Sequence, residues 1–459
     1  MVQLSIIFFS NTQGAYMNSA DKKIIDELEN KIAENPNYLD FLGANTKELS
    51  HGYHTYPAMM IPQISREMIE LTLKHSDSTI ESIYDPFAGS GTTLVEGINA
   101  GLKSFGNDIN PLSILMTHAK TTAINPDTLS NFIETVFNQI DEHKKQFDNG
   151  HLELDIPSFP RIDFWFKESV IFDLQIIKDA IYSVENDNVK NFLLAAFTET
   201  VRYVSNTRNN EFKLYRMAPD KLEAWNPDAI ATFKKNVTSN EDGNTSLFNK
   251  VGEQTEATVK LGSSMQIDSL YPNESFDLLV TSPPYGDSGT TVAYGQFSRL
   301  SLQWLDLDPE VEENIIKLDR IMLGGKVIKE LTPQEQLSML KSDTLTEIYN
   351  SIAAVDQKRA LEVLQFYVDL DVVIEQSAKV MKHGSYQYWV VANRTVKGYQ
   401  IPTDTIIAEL FDKYDVIHLH DFYRNIPNKR MPKLNSPTNK KGQLVATMNR
   451  ETIIMLRKL

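Results

Sequence analysis

Along residues 79–120 the spacing of apolar positions switches repeatedly between strand and helix periods. TIESIY reads as a short buried strand, DPFAGSG as a Gly-rich turn and TTLVEGINAG as a helix; LKSFGND is a second strand and INPLSILMTHAK a second helix. Strand–helix–strand units of this kind imply parallel pairing with helices on the sheet faces. From about 126 to 236 the period is helical and the stretch is rich in aromatic residues, as in VIFDLQIIKDAIYSV and NFLLAAFTETVRYV. TSNEDGNTS (238–246) is polar and predicts a loop or linker. Strand character returns at ATVKLG and FDLLVT, and residues 305–362 predict a charged helical insertion. LDVVIEQSAKVMKHG predicts a helix ending at Gly384, YQYWVVAN a buried strand, and KYDVIHLHDFY with ETIIMLRKL an antiparallel pair. The pattern describes one α/β sheet interrupted by two helical insertions, with no internal repeat. Ligands of open α/β sheets bind at the strand ends.

Composition narrows this picture. The 459 residues contain no cysteine, which excludes disulfides, thiolate metal sites and any cysteine nucleophile. The N-terminal apolar run LSIIFF is too short to span a membrane and lacks a basic flank, so a cytoplasmic protein with no membrane partner is expected. Met17 opens the helix-like MNSADKKIIDELENKIAEN, which places residues 1–16 outside the expected fold. A formal net charge of −16 argues against binding nucleic acid by bulk electrostatics. Residues 421–459 differ, carrying nine Lys or Arg against Asp421 and Glu451.

The turn DPFAGSGTT places Gly89 and Gly91 between a strand and a helix, where missing side chains let a ligand approach the backbone. A dinucleotide fingerprint needs a third glycine where Leu94 stands, and a phosphate loop needs a GK-Ser/Thr that is absent. The GGK at 324–326 has Arg320 in place of that loop's first glycine. Asp108 ends the second strand nineteen residues beyond Gly89, placed to accept hydrogen bonds from ribose hydroxyls. Ribose without pyrophosphate points to S-adenosylmethionine, whose amino-acid end meets the Gly loop and Asp85.

The second site is TSPPYGDSGT (281–290), directly after FDLLV. Proline fixes its own φ and holds the preceding residue extended, so Ser282-Pro283-Pro284 is a rigid, non-helical strand exit. Its free oxygens suit an exocyclic amine: the Ser282 hydroxyl and the Pro283 carbonyl take the two hydrogens, leaving the nitrogen lone pair to attack a sulfonium methyl. Positioning and preset dipoles supply the rate. Tyr285 stacks on the base, which must leave the duplex to arrive. Alone, TSPPY is a stiff strand end; joined to the upstream turn it completes a site.

DPFAGSGTT, GNDINP and TSPPY together resemble the S-adenosylmethionine-dependent DNA methyltransferases that modify exocyclic amino groups. HGYHTYPAMMIPQISREMIE (51–70) resembles the segment that closes over the cofactor's methionine part, and NRTVKGYQIPT and RNIPNKRMP resemble later segments. The likeness covers about 51–120 and 257–459. It implies a Rossmann-like methyltransferase sheet, α/β and mostly parallel with an antiparallel strand near the C-terminus, carrying helical insertions. It implies cofactor contacts at Tyr56 and Pro57, along Asp85, Pro86, Phe87, Ala88, Gly89, Ser90, Gly91 and Thr92, and at Asp108 and Ile109. Catalytic roles fall on Ser282, Pro283, Pro284 and Tyr285. In LGSSMQI, Ser263 replaces the family's acid toward the adenine amino group, with Asp268 or a backbone contact as substitute. The expected division is an N-terminal extension and helix (1–50), a cofactor half (51–125), a helical insertion with possible target recognition (126–256) and a catalytic half (257–459).

Cytosine-carbon methylation needs a cysteine and is excluded. An acid before PPY is common in adenine enzymes, whereas SPPY resembles the cytosine-N4 group, so cytosine N4 is favoured and adenine N6 is the alternative. An RNA guanine-N2 methyltransferase and a non-catalytic DNA-binding module are readings of other classes. The first lacks an RNA-binding module here, and the second leaves the cofactor turn unexplained. Double-stranded DNA is the expected partner, contacted by Arg208, Lys213 and Arg216 in TRNNEFKLYRM and by Arg424, Lys429 and Arg430 in YRNIPNKRMPK. A restriction endonuclease acting on the same site is the companion such an enzyme implies. His418 and His420 share a strand face, but this chemistry needs no metal.

Overall fold

The computed structural model describes residues 17–208, 211–253, 256–287, 291–325, 330–426, 434–435, 445–446 and 450–459. The expectation for residues 1–16 lies outside them. Seven strands form the central sheet: β1 (Ser82–Asp85), β2 (Lys103–Asp108), β3 (Ala257–Leu261), β4 (Phe276–Thr281), β5 (Met381–Val391), β6 (Val416–Asn425) and β7 (Arg450–Lys458). Their spatial order is β3-β2-β1-β4-β5-β7-β6. The first five pair in parallel, and β7 runs antiparallel between β5 and β6. This is the Rossmann-like methyltransferase arrangement. β1 and β4 are buried along their whole length, as strands covered on both faces must be.

Residues 126–251 add a helical layer whose long members are Pro126–Asp148, Glu168–Tyr182, Asp187–Val204 and Ala229–Val251. Trp304 is fully buried within it, its ring 5.7–6.4 Å from those of Phe159, Phe166 and Phe197. Trp304 follows the helix Tyr294–Gln303, so this one side chain ties the layer to the segment after the proline corner. Burying a ring of that size contributes roughly 2–3 kcal/mol.

Two expectations fail for physical reasons. TSNEDGNTS is not a loop but the middle of the helix Ala229–Val251. Its small and polar residues serve a tight crossing: a Cβ on Gly243 would stand 2.6 Å from the Leu49 carbonyl oxygen. Buried Asn244 accepts from the Ile124 N–H at 2.9 Å and donates to the Ile124 carbonyl at 2.6 Å. The helix before β5 ends at Val380 rather than Gly384; Gly384 lies inside β5 at φ +77°, where the pairing with β4 shifts register. No helix among the described residues is long and apolar enough to cross a membrane.

Candidate functional site

β2, β1 and β4 are adjacent and parallel, so their C-terminal residues Asp108, Asp85 and Thr281 share one sheet edge. After Asp85 the chain turns back on itself. The Phe87 N–H and the Thr281 hydroxyl both donate to Asp85 Oδ1, at 2.9 and 2.6 Å. Gly89 and Gly91 take φ of +52° and +79°, a region that side chains oppose, and Gly91 caps the helix Thr92–Asn99. The Gly89 and Asn110 amides donate to the two oxygens of Asp108 at 2.9 and 2.8 Å, and Ser113 Oγ donates to the Gly89 carbonyl.

Burial acts on both acids. It pushes the Asp85 carboxyl up to about 6 against the opposing hydrogen bonds from Thr281 and Phe87, and it also raises Asp108. A carboxylate desolvated in this way gains from a cation placed beside it. The cofactor's ammonium suits Asp85, and ribose hydroxyls suit Asp108. The glycine turn leaves room between them, for a Cβ on Gly89 would already reach within 3.6 Å of the Tyr56 ring. S-adenosylmethionine therefore fits the donor set and the cradle.

The cavity at this edge is lined by Tyr56, Pro57, Asp85, Phe87, Ala88, Gly89, Ser90, Thr92, Asp108, Ile109, Ser263, Ser282 and Pro284. Both halves of the expected site thus open on one space. Pro86, Gly91, Pro283 and Tyr285 are not among its lining residues, although Pro283 and Tyr285 directly adjoin Ser282 and Pro284, which are. The Pro86 carbonyl accepts from Ser264 Oγ at 2.5 Å, and Gly91 backs onto Thr117. Ser263 Oγ accepts from the Met265 N–H at 3.3 Å. Asp268, the suggested substitute, instead pairs with Gln376, whose Nε2 donates to its carboxylate at 3.4 Å.

Sequence reasoning missed a third wall, Ile321, Met322 and Leu323 of the second insertion; Tyr294, which the sequence offers as a contact to the target base, lines the same cavity. The signal was the apolar run IML before two glycines in a charged stretch. The Tyr294 and Tyr56 ring centroids are 5.6 Å apart, and the Tyr56 hydroxyl accepts from Asn110 Nδ2 at 3.0 Å. Asp319 accepts from the amides of Gly295 and Gln296 at 2.9 and 3.1 Å, fixing the helix that begins with Tyr294.

At the corner, Ser282 Oγ lies 3.2 Å from the Tyr285 hydroxyl, which donates to Glu451 Oε1 at 2.9 Å. Among the cationic residues, Arg208 is exposed and pairs with Glu211 at 3.2 Å; Lys213 is half-buried, and the Arg216 guanidinium lies 4.1 Å from the Phe164 ring centre. Phe212 and Tyr215 are exposed beside them, and Phe212 packs 6.1 Å from Phe297, whose ring meets that of Tyr56. This basic, aromatic segment therefore borders the cavity helix. Arg424 requires correction: it is 6% exposed, bonded through Nε to the Leu39 carbonyl at 2.9 Å and through Nη1 to Glu451. Its charge is spent inside the fold and is not presented to DNA. Lys429 and Arg430 lie outside the described residues. His418 pairs with Asp421 and His420 with Glu29, each at 2.8 Å, and no metal-holding cluster occurs among the described residues.

Comparison with known proteins finds DNA methyltransferases. A family model described as D12 class N6 adenine-specific DNA methyltransferase matches residues 63–261. The chain is 54% identical over 447 residues to the type II methyltransferase M.MvaI of Kocuria varians, covering 96% of this chain and 98% of that protein. It is 35% identical over 95 residues to the type II methyltransferase M.MjaII of Methanocaldococcus jannaschii, 21% of this chain and 17% of that one. It is 21% identical over 437 residues to the type II methyltransferase M.BsoBI of Geobacillus stearothermophilus, 85% and 83% respectively.

Proposed function

This chain belongs to the type II DNA methyltransferases, which use S-adenosylmethionine, and from that premise we propose that it methylates an exocyclic amino group of a base turned out of DNA at the Ser282–Tyr285 corner. The observation that carries the proposal is the shared cavity: Asp85, Gly89 and Asp108 line it together with Ser282 and Pro284. Bound S-adenosylmethionine supplies the electrophilic methyl group. Asp85 and Asp108 orient its two polar ends, while Phe87, Ile109 and Met265 offer apolar walls. The Ser282 hydroxyl and the Pro283 carbonyl accept the amine's hydrogens and turn its lone pair toward the methyl. The gain is one of orientation and preset dipoles.

Two observations bear on the base. The matched family is described as N6 adenine-specific, which favours adenine over the cytosine expected from sequence. That match ends at residue 261, and Ser282 lies beyond it. The residues that touch the base are those of the SPPY corner, and a serine rather than an acid at its head supports cytosine N4. The deciding experiment is incubation with unmethylated duplex and labelled cofactor followed by nucleoside analysis. N4-methylcytosine supports the corner's reading, N6-methyladenine that of the matched family, and absence of label from DNA sinks both. A restriction endonuclease cutting the same site, inside the same cytoplasm, is part of the proposal.

A further inference from the structure

The hydrogen-bond chain leaving the proline corner has a direction. Glu451 accepts, as a carboxylate, from the Tyr285 hydroxyl at 2.9 Å. A phenol has one proton, so the 3.2 Å contact between Tyr285 and Ser282 is made by the Ser282 hydrogen pointing at the tyrosine oxygen. Both lone pairs of Ser282 are then left to accept from the cavity side, where Ser282 forms part of the wall. The far end is anchored: Glu451 and Arg424 face each other across β7 and β6, and the Arg424 guanidinium bonds the other oxygen of Glu451. Arg424 is itself held by the Leu39 carbonyl at 2.9 Å. Burial, with Glu451 adding to it, keeps the Tyr285 hydroxyl protonated well beyond the usual phenol range.

We propose that Glu451 is a positioning residue that acts through Tyr285 to hold Ser282 as a pure acceptor for the substrate amine, and that the same chain carries away the proton released by methylation. This rests on the amino-methyltransferase reading above. As nitrogen bonds the methyl carbon, the carbon–sulfur bond breaks and its electron pair stays on sulfur, which becomes a neutral thioether. The nitrogen then has one proton too many. That proton passes to Ser282 Oγ as the serine's own moves to Tyr285 and the tyrosine's to Glu451. Glu451 ends as a neutral acid, and its side chain, 14% exposed, returns the proton to water.

Gln in place of Glu451 keeps the shape but reverses the sense. Its oxygen turns to Arg424 and its NH2 faces Tyr285, so the tyrosine hydrogen is driven toward Ser282. The test is a double-mutant cycle on single-turnover methyl transfer to DNA, with Glu451→Gln and Tyr285→Phe each made in the native and in the Ser282→Ala background. The Ser282→Ala enzyme retains slow transfer through the Pro283 carbonyl. Each change is expected to slow transfer by about 10- to 100-fold when Ser282 is present and by less than about twofold when it is absent, with cofactor affinity by calorimetry unchanged throughout. Tyr285→Phe removes only an oxygen, so it decides the matter if Glu451→Gln fails to fold. Equal losses in both backgrounds, or no loss in either, would overturn the relay. Failure of the native enzyme to label DNA would strike the methyltransferase reading instead.

Discussion

The backbone N–H of Gly89 donates to the side chain of Asp108 at 2.9 Å, joining the turn after β1 to the end of β2. One oxygen of Asp108 thereby sets the shape of the glycine turn while the other holds the Asn110 amide. The acid thus has an architectural role before any ligand arrives. Asp108→Ala should weaken S-adenosylmethionine binding by about 10- to 100-fold, the scale of a lost hydrogen bond to a charged group. Titration calorimetry measures this, and an unchanged affinity would remove Asp108 from the site.

Asp85 makes a prediction about pH. Burial raises its pKa in the folded protein to about 6, above the 3.8 of an ordinary aspartate, so the native state binds the proton more tightly than the unfolded chain. Its contribution is favourable below about pH 4 and is lost as pH rises through 6, to a cost of up to about 3 kcal/mol at neutral pH. Asp85→Asn should therefore raise the Tm of the cofactor-free protein at pH 7.5 and change it little at pH 4.5. The same substitution should weaken cofactor binding at pH 7.5, and native affinity should fall as pH drops below 6. A variant less stable at neutral pH would contradict the desolvation argument.

What the chain discloses by itself follows from how local each feature is. DPFAGSG and TSPPY are contiguous, and φ restriction at Pro283 and Pro284 together with freedom at Gly89 and Gly91 made the cofactor turn and the corner legible. The β6–β7 pair was legible because ETIIML carries a continuous apolar run of strand length, and in β7 that run is buried. Ile321–Leu323 were not, since their place in the cavity wall depends on how a distant insertion folds back. Arg424 misled because a count of charges says nothing of burial, and Asn244 misled because polarity usually marks solvent. In the helix Ala229–Val251 it marks a crossing where Ile124 needs a hydrogen-bonding partner.

That crossing can be tested directly. Asn244→Ala leaves the Ile124 N–H and carbonyl unpaired in the interior, at about 1–3 kcal/mol for each such group. Gly243→Ala presses a methyl against the backbone oxygen of Leu49, which cannot rotate away, and overpacking of this kind costs about 1–3 kcal/mol. Denaturant unfolding should show both losses, with a lower midpoint and an unchanged slope. A midpoint within error of the native value for both variants would restore the loop reading of 238–246.

The cationic residues separate into two classes by where their charge goes. Arg208 is exposed and, among the described residues, pairs across the surface with Glu211, and such pairs are worth little to stability. Arg424 is buried between Leu39 and Glu451, and losing it would leave a carboxylate without its partner. Arg208→Ala combined with Lys213→Ala should leave Tm nearly unchanged, weaken duplex binding and reduce the salt slope of log Kd by about one for each phosphate contact removed. Arg424→Ala should do the reverse, lowering Tm by several degrees while leaving the salt slope of the remaining folded protein as it was. If Arg424→Ala lowers the slope and the surface pair does not, DNA meets this protein on the β6–β7 side, and the segment from 205 to 217 is not the surface that receives it.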